Sequence, residues 1–133
     1  MRWTVGAEPF SYAVLRVTPR AERGERVNVG VVLLCRPHRF LGARTALGER
    51  QVAVLAALAP DLDVEAVRAH LAVLERIAAG DPAGGPIAAL GLAERYHWLV
   101  APSSTVVGPG EEHTGLTEDP AATLERLLTQ LVD

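Results

Sequence analysis

Residues 27–35 read Val-Asn-Val-Gly-Val-Val-Leu-Leu-Cys. The run is rich in β-branched side chains and nearly all apolar, which is the pattern of a central strand. Upstream, residues 11–17 alternate around Tyr12, Val14 and Leu15, with Arg16 among them, and Thr18-Pro19 ends the segment. It reads as a second strand. Residues 19–26, Pro-Arg-Ala-Glu-Arg-Gly-Glu-Arg, form a polar connection in which Gly24 is free to take a positive φ. A hairpin follows from these three pieces. Downstream, residues 36–39 turn the chain and residues 40–44 supply a third strand.

Outward from the hairpin the period changes. Residues 49–58 carry Val52, Leu55 and Leu58 at a spacing of three, and Pro60 closes that helix. Asp63 is a good N-cap for the next one, with Glu65 in its first turn. Val67, Leu71, Leu74 and Ala78 make one face of it, and Gly80 suits the C′ position. Residues 80–86 are a turn-rich connector. Residues 97–101 alternate again and predict a strand stopped by Pro102, with a short edge strand over residues 105–107. Residues 108–115, Gly-Pro-Gly-Glu-Glu-His-Thr-Gly, predict a loop. Asp119-Pro120 starts a final helix whose inner face is Leu124, Leu127, Leu128 and Leu131. Strands cluster rather than alternate strictly with helices. The expected class is therefore α+β: a mainly antiparallel sheet of four to five strands with about three helices on one face. One domain over residues 11–133 is expected, with residues 1–10 as a lead-in.

Composition narrows the function classes. The 133 residues are 49% hydrophobic and 22% charged, enough for a core without disulfides or metal. No apolar run approaches the roughly 18 residues of a membrane span. The opening Met-Arg-Trp-Thr-Val lacks the apolar stretch of a secretion signal, and Cys35 is the single cysteine, so a cytoplasmic setting is expected. All 13 basic residues are arginine, which excludes P-loop, Schiff-base and kinase-type lysine chemistry. Charge is segregated. Residues 16–50 carry a net charge of +5 and residues 51–133 a net charge of −8. That split suits internal pairing or the steering of a partner. A total of −3 with 5% aromatic residues disfavours general nucleic-acid binding.

Two polar segments are the candidate sites. The first, residues 19–28, holds Arg23, Glu25 and Asn28, with Arg20, Glu22 and Arg26 read as a solvated hairpin tip. Arginine forks grip carboxylate or phosphate through paired hydrogen bonds, and Asn28 is the one asparagine of the chain, opening an apolar strand. The second, residues 102–117, offers Ser104, His113 and Thr114 beside Ser103 and Thr105. If the strands over 27–35 and 97–101 run antiparallel as neighbours, both segments meet at one sheet edge. Arg23, Asn28, His113 and Thr114 then converge on an anion, with Glu25 orienting Arg23. His38, His70, His97 and His113 show no metal-ligand spacing, so no metal or cofactor is expected. His70 reads as a boundary residue, His97 as a packing one, and Cys35 as a small buried hydrophobe. No GxSxG elbow and no GxGxxG loop occurs.

Tyr12-x3-Arg16-x2-Pro19-x3-Arg23-Gly24-Glu25-x2-Asn28-x-Gly30 resembles the opening signature of an uncharacterised bacterial family known only as a domain of unknown function. His97-Trp98-Leu99-Val100-Ala101-Pro102 and His113-Thr114-Gly115 resemble its later segments, so the likeness covers residues 11–132. One position departs: Ser103 stands after Ala101-Pro102 where the family is associated with arginine. The resemblance implies no activity. It does imply a partnership with a HipA-like kinase-fold protein. The leading expectation is thus a non-catalytic partner or regulatory module with an anion-binding concavity, its partner that protein or a second copy of the chain. The alternative is a small enzyme or small-molecule-binding domain using residues 19–28 and 102–117.

Overall fold

In a computed structural model, which describes residues 6–102 and 105–133, the hairpin grows into a four-stranded antiparallel sheet. Its strands are β1 (Glu8–Val17), β2 (Val27–Cys35), β3 (Phe40–Thr45) and β4 (Val107–Thr117), in the order β3-β2-β1-β4. Helices α1 (Glu49–Leu58), α2 (Val64–Ala79) and α3 (Leu92–Leu99) separate β3 from β4, and α4 (Pro120–Leu131) ends the chain. The class is α+β, as expected, with one helix more.

The local signals act as read. Asp63 Oδ1 accepts from the Ala66 N–H at 3.0 Å, and Gly80 closes α2 at φ 72°. Asp119 Oδ1 accepts from the Ala122 N–H at 3.2 Å, with Pro120 in the first turn of α4. Gly24 takes a φ of 72° in the hairpin connection.

Strand β2 is apolar throughout because it is covered twice. Val29, Val32 and Leu34 join Leu15, Leu55, Leu71, Leu74, Tyr96 and Leu99 in one core, against α1–α3. Val31, Leu33 and Cys35 join Phe10, Leu124, Leu127 and Leu128 in another, against α4. Helices thus lie on both faces rather than on one. The reason is arithmetic: a nine-residue run with few polar positions has two apolar faces, and each needs a cover.

Two elements differ from expectation. Residues 97–101 are not a strand; they include the last turn of α3, where Tyr96 and Leu99 point inward and Trp98 outward. The expected loop 108–115 is the body of β4, which takes the unpaired edge of β1, with a bulge opposite Ala13–Leu15. An edge strand accommodates Gly-Pro-Gly and Glu-Glu because half its backbone faces solvent.

A bulge opposite Leu15–Arg16 also shifts β2, pairing Leu15 with Gly30 and Arg16 with Asn28. The shift turns Asn28 toward α4, where its Nδ2 donates to the Leu131 carbonyl at 3.0 Å. Gln51 Nε2 does the same for Val132 at 3.0 Å. Two amides thereby satisfy carbonyls that the last turn of a helix leaves open. Asn28→Ala is expected to lower stability by about 1 kcal/mol by stranding that carbonyl; the urea midpoint checks it.

Candidate functional site

The hairpin tip is internally paired. Arg23 Nε donates to Glu25 Oε1 at 2.5 Å. That hydrogen bond, aided by charge, raises the Arg23 guanidinium and holds the Glu25 carboxyl below its usual range. Both side chains are open to water, so the pair shapes the loop more than it stabilises the fold. Arg20 reaches Asp61 at 3.4 Å, tying the tip to the chain ahead of α2.

The second polar segment is divided by the alternation of β4. His113 stands opposite Tyr12, ring centroids 5.2 Å apart. Thr114 stands opposite Ser11 and therefore points to the other face. The hairpin loop leaves the sheet at Val17, which pairs with Val107, whereas His113 sits at the level of Tyr12. Five residues of strand, roughly 16 Å, separate the two levels. Arg23 and His113 share no concavity, because β1 lies between β2 and β4 and the segment 97–101 adjoins neither as a strand. Asn28 is engaged by α4. Ser104 and Ser103 lie outside the described residues.

On the α3 side of β4, the buried Tyr96 hydroxyl donates to Glu112 Oε1 at 2.7 Å. Burial first, and this carboxylate second, push the phenol above its usual range, while a hydrogen bond with Ser11 pulls the other way. Among the described residues no hydroxyl–imidazole pair occurs there.

What the fold does assemble is a cationic cavity at the start of β4. It holds about 200 Å³ and is lined by Arg16, Thr18, Arg26, Thr105, Gly108 and neighbouring prolines, with no carboxylate among the described residues of its wall. Position along the strand explains it. Phe10, Tyr12, Val14 and Arg16 share the α4 face of β1, but α4 packs on β2 and β3. The corner over β1 and β4 is left without helical cover, and Arg16 runs across it. Its guanidinium lies on Gly110, where a Cβ would fall 2.7 Å from Cζ.

Arg16 and Arg95 are the two half-buried arginines among the described residues. Arg95 donates to the Leu90 and Ala78 carbonyls at 2.8 and 3.4 Å. Arg16 has neither an acceptor nor a carboxylate partner among the described residues. Arg26 shares the cavity, although its place in the polar hairpin connection predicts a solvated tip. The signal that points to Arg16 is a charge at an inward-parity position of an apolar strand, with no acidic neighbour in sequence.

A second cavity of about 220 Å³ adjoins the first, sharing Pro102, Gly108 and Pro109. Leu15, Leu74, Leu99 and Val107 form its floor, with His70 and Trp98 at its side. Among the described residues no three His, Cys, Asp or Glu side chains are placed to hold a metal ion, and no helix is long and apolar enough to cross a membrane.

The family model described as "Protein of unknown function (DUF3037)" matches residues 12–132. Neither the curated proteins nor the solved structures contain a match.

Proposed function

The chain belongs to the DUF3037 family, whose description assigns no activity, and we propose from the geometry that it is a binding module for a small oxyanion held by Arg16 and Arg26. The observation that carries this reading is that Arg16, half-buried as a residue, has no acceptor for its guanidinium among the described residues. Its nitrogens stay in reach of the cavity's water and are not committed to a protein acceptor among the described residues. A phosphate or carboxylate can take the planar fork through two parallel hydrogen bonds. Arg26 adds a second positive charge, Thr18 a hydroxyl, and Gly108 close backbone approach. The Arg23–Glu25 pair and Asn28 serve as framework: the pair sets the loop that delivers Arg26, and Asn28 anchors the strand that follows it.

Calorimetric titration with inorganic phosphate tests the reading. Arg16→Gln is expected to weaken binding roughly 10- to 100-fold, the factor set by losing charge-assisted hydrogen bonds. Arg36→Gln, in the turn between β2 and β3, serves as the control and is expected to bind as the unaltered protein does. Gly110→Ala is expected to push the guanidinium aside and weaken binding several-fold, with the urea midpoint unchanged. Equal phosphate affinity for Arg16→Gln and the unaltered protein sinks the proposal.

The outer edge of β4 favours a second reading, in which a partner's strand adds to the sheet. This strand ends the sheet, and its Leu116 is 72% exposed. The resemblance implies a HipA-like kinase-fold protein as that partner. Co-expression with such a protein, followed by hydrogen exchange, is expected to slow the amides of residues 111–117; unchanged exchange there removes this reading.

A further inference from the structure

We propose that the anion carries a compact apolar body, one aromatic ring or branched acyl group in size, and that the second cavity receives it. The inference rests on the oxyanion reading above and names the class of ligand. The two cavities have Pro102, Gly108 and Pro109 in common in their walls. Arg16 and Leu15 are adjacent on β1 and point to opposite faces of the sheet, opposite Gly108 and Pro109 respectively. In the middle of a sheet such neighbours never see the same molecule. Here β4 is the last strand, and its residue opposite Arg16 is Gly108, which carries no side chain of its own. A ligand lying along Pro102 reaches Arg16 with its head and the Leu15 side with its body.

Chemistry and size both select the body. The floor is aliphatic, and Trp98 remains 44% exposed at the side of the cavity. A flat apolar group laid against that indole removes apolar surface of both partners from water. A cavity of about 150 Å³ is enough to hold benzene, so 220 Å³ admits one ring with small substituents.

The experiment compares phosphate with phenyl phosphate, and acetate with benzoate, by calorimetry. The ring is expected to improve affinity over the bare anion roughly 10- to 100-fold in at least one pair, from the apolar area it buries. Trp98→Ala is expected to erase that gain, and Arg16→Gln to weaken the ring-bearing ligand as well. In the unaltered protein the Trp98 indole N–H resonance is expected to shift with phenyl phosphate and not with phosphate. Bare anions that bind through Arg16 with no gain from the ring overturn this inference and leave the oxyanion reading standing. If no anion binds, both fall.

Discussion

Replacing Leu33 by alanine is expected to destabilise the protein by about 3–4 kcal/mol, among the largest effects a single apolar truncation has in this fold. Leu33 is 0% exposed, sits between Tyr12 and Gly42 in the two central ladders, and packs under α4. Hydrogen-bonded strands on both sides hold the site open, so the cavity left by the missing carbons cannot collapse. The melting temperature should fall by roughly 10 °C or more. Leu116→Ala, at a 72% exposed position, is the comparison and should change stability little. Urea unfolding of both variants decides the matter. A loss under about 1 kcal/mol for Leu33→Ala would mean that α4 does not cover this face of the sheet.

The second large effect belongs to Tyr96. Its side chain is 2% exposed, projecting from α3 into the core it shares with Leu71 and Leu74 of α2, with its hydroxyl on Glu112. Tyr96→Ala is expected to cost about 3–5 kcal/mol by the same cavity argument. Tyr96→Phe keeps the ring and isolates the hydroxyl, and its signature is a pH dependence. Burial and the neighbouring carboxylate raise the phenol in the folded state above its ordinary value of 10.0. The folded state therefore holds that proton more tightly than the unfolded one. The resulting stability is present in full below pH about 10 and is lost as the pH climbs from there toward the raised folded value. The unaltered protein should lose stability across that alkaline window, and Tyr96→Phe should lose less over the same range. Parallel alkaline slopes for the two proteins would show that the Tyr96 hydroxyl is not buried against Glu112.

The Tyr96 test bears on the two elements for which the sequence is ambiguous, α3 and β4. His97, Trp98, Leu99 and Val100 supply one alternation, which suits a strand of period two and an exposed–buried step on a helix equally well. Tyr96 and Leu99, three apart, carry the helical signal, and it becomes visible once the segment is extended back to Leu92. Strand β4 has the opposite problem. Gly-Pro-Gly-Glu-Glu-His-Thr-Gly has no intrinsic preference for a strand. It becomes one because β1 offers a row of unpaired N–H and C=O groups that nothing else in the fold satisfies.

Arg16, Arg23, Glu25 and Asn28 were all visible as polar residues in or beside an apolar hairpin, but their destinations were not. Glu25 neutralises Arg23 two residues away, a local event. Asn28 meets Leu131 across 103 positions of sequence, and Arg16 is left over a corner of the sheet away from the β2–β3 face on which α4 packs. What residue order by itself determined was everything closed within a few residues: the hairpin, the capped ends of α2 and α4, the doubly apolar β2, and the α+β class. Local propensity and capping act over one turn or one strand pair, so they can be read without the rest of the chain. The tertiary structure alone decided that α4 crosses to the second face, that β4 and not residues 97–101 completes the sheet, and that Arg16 faces a cavity with no acid among the described residues of its wall. Each of those depends on which surfaces remain uncovered after the other elements have packed, and uncovered surface is a property of the whole fold rather than of any segment.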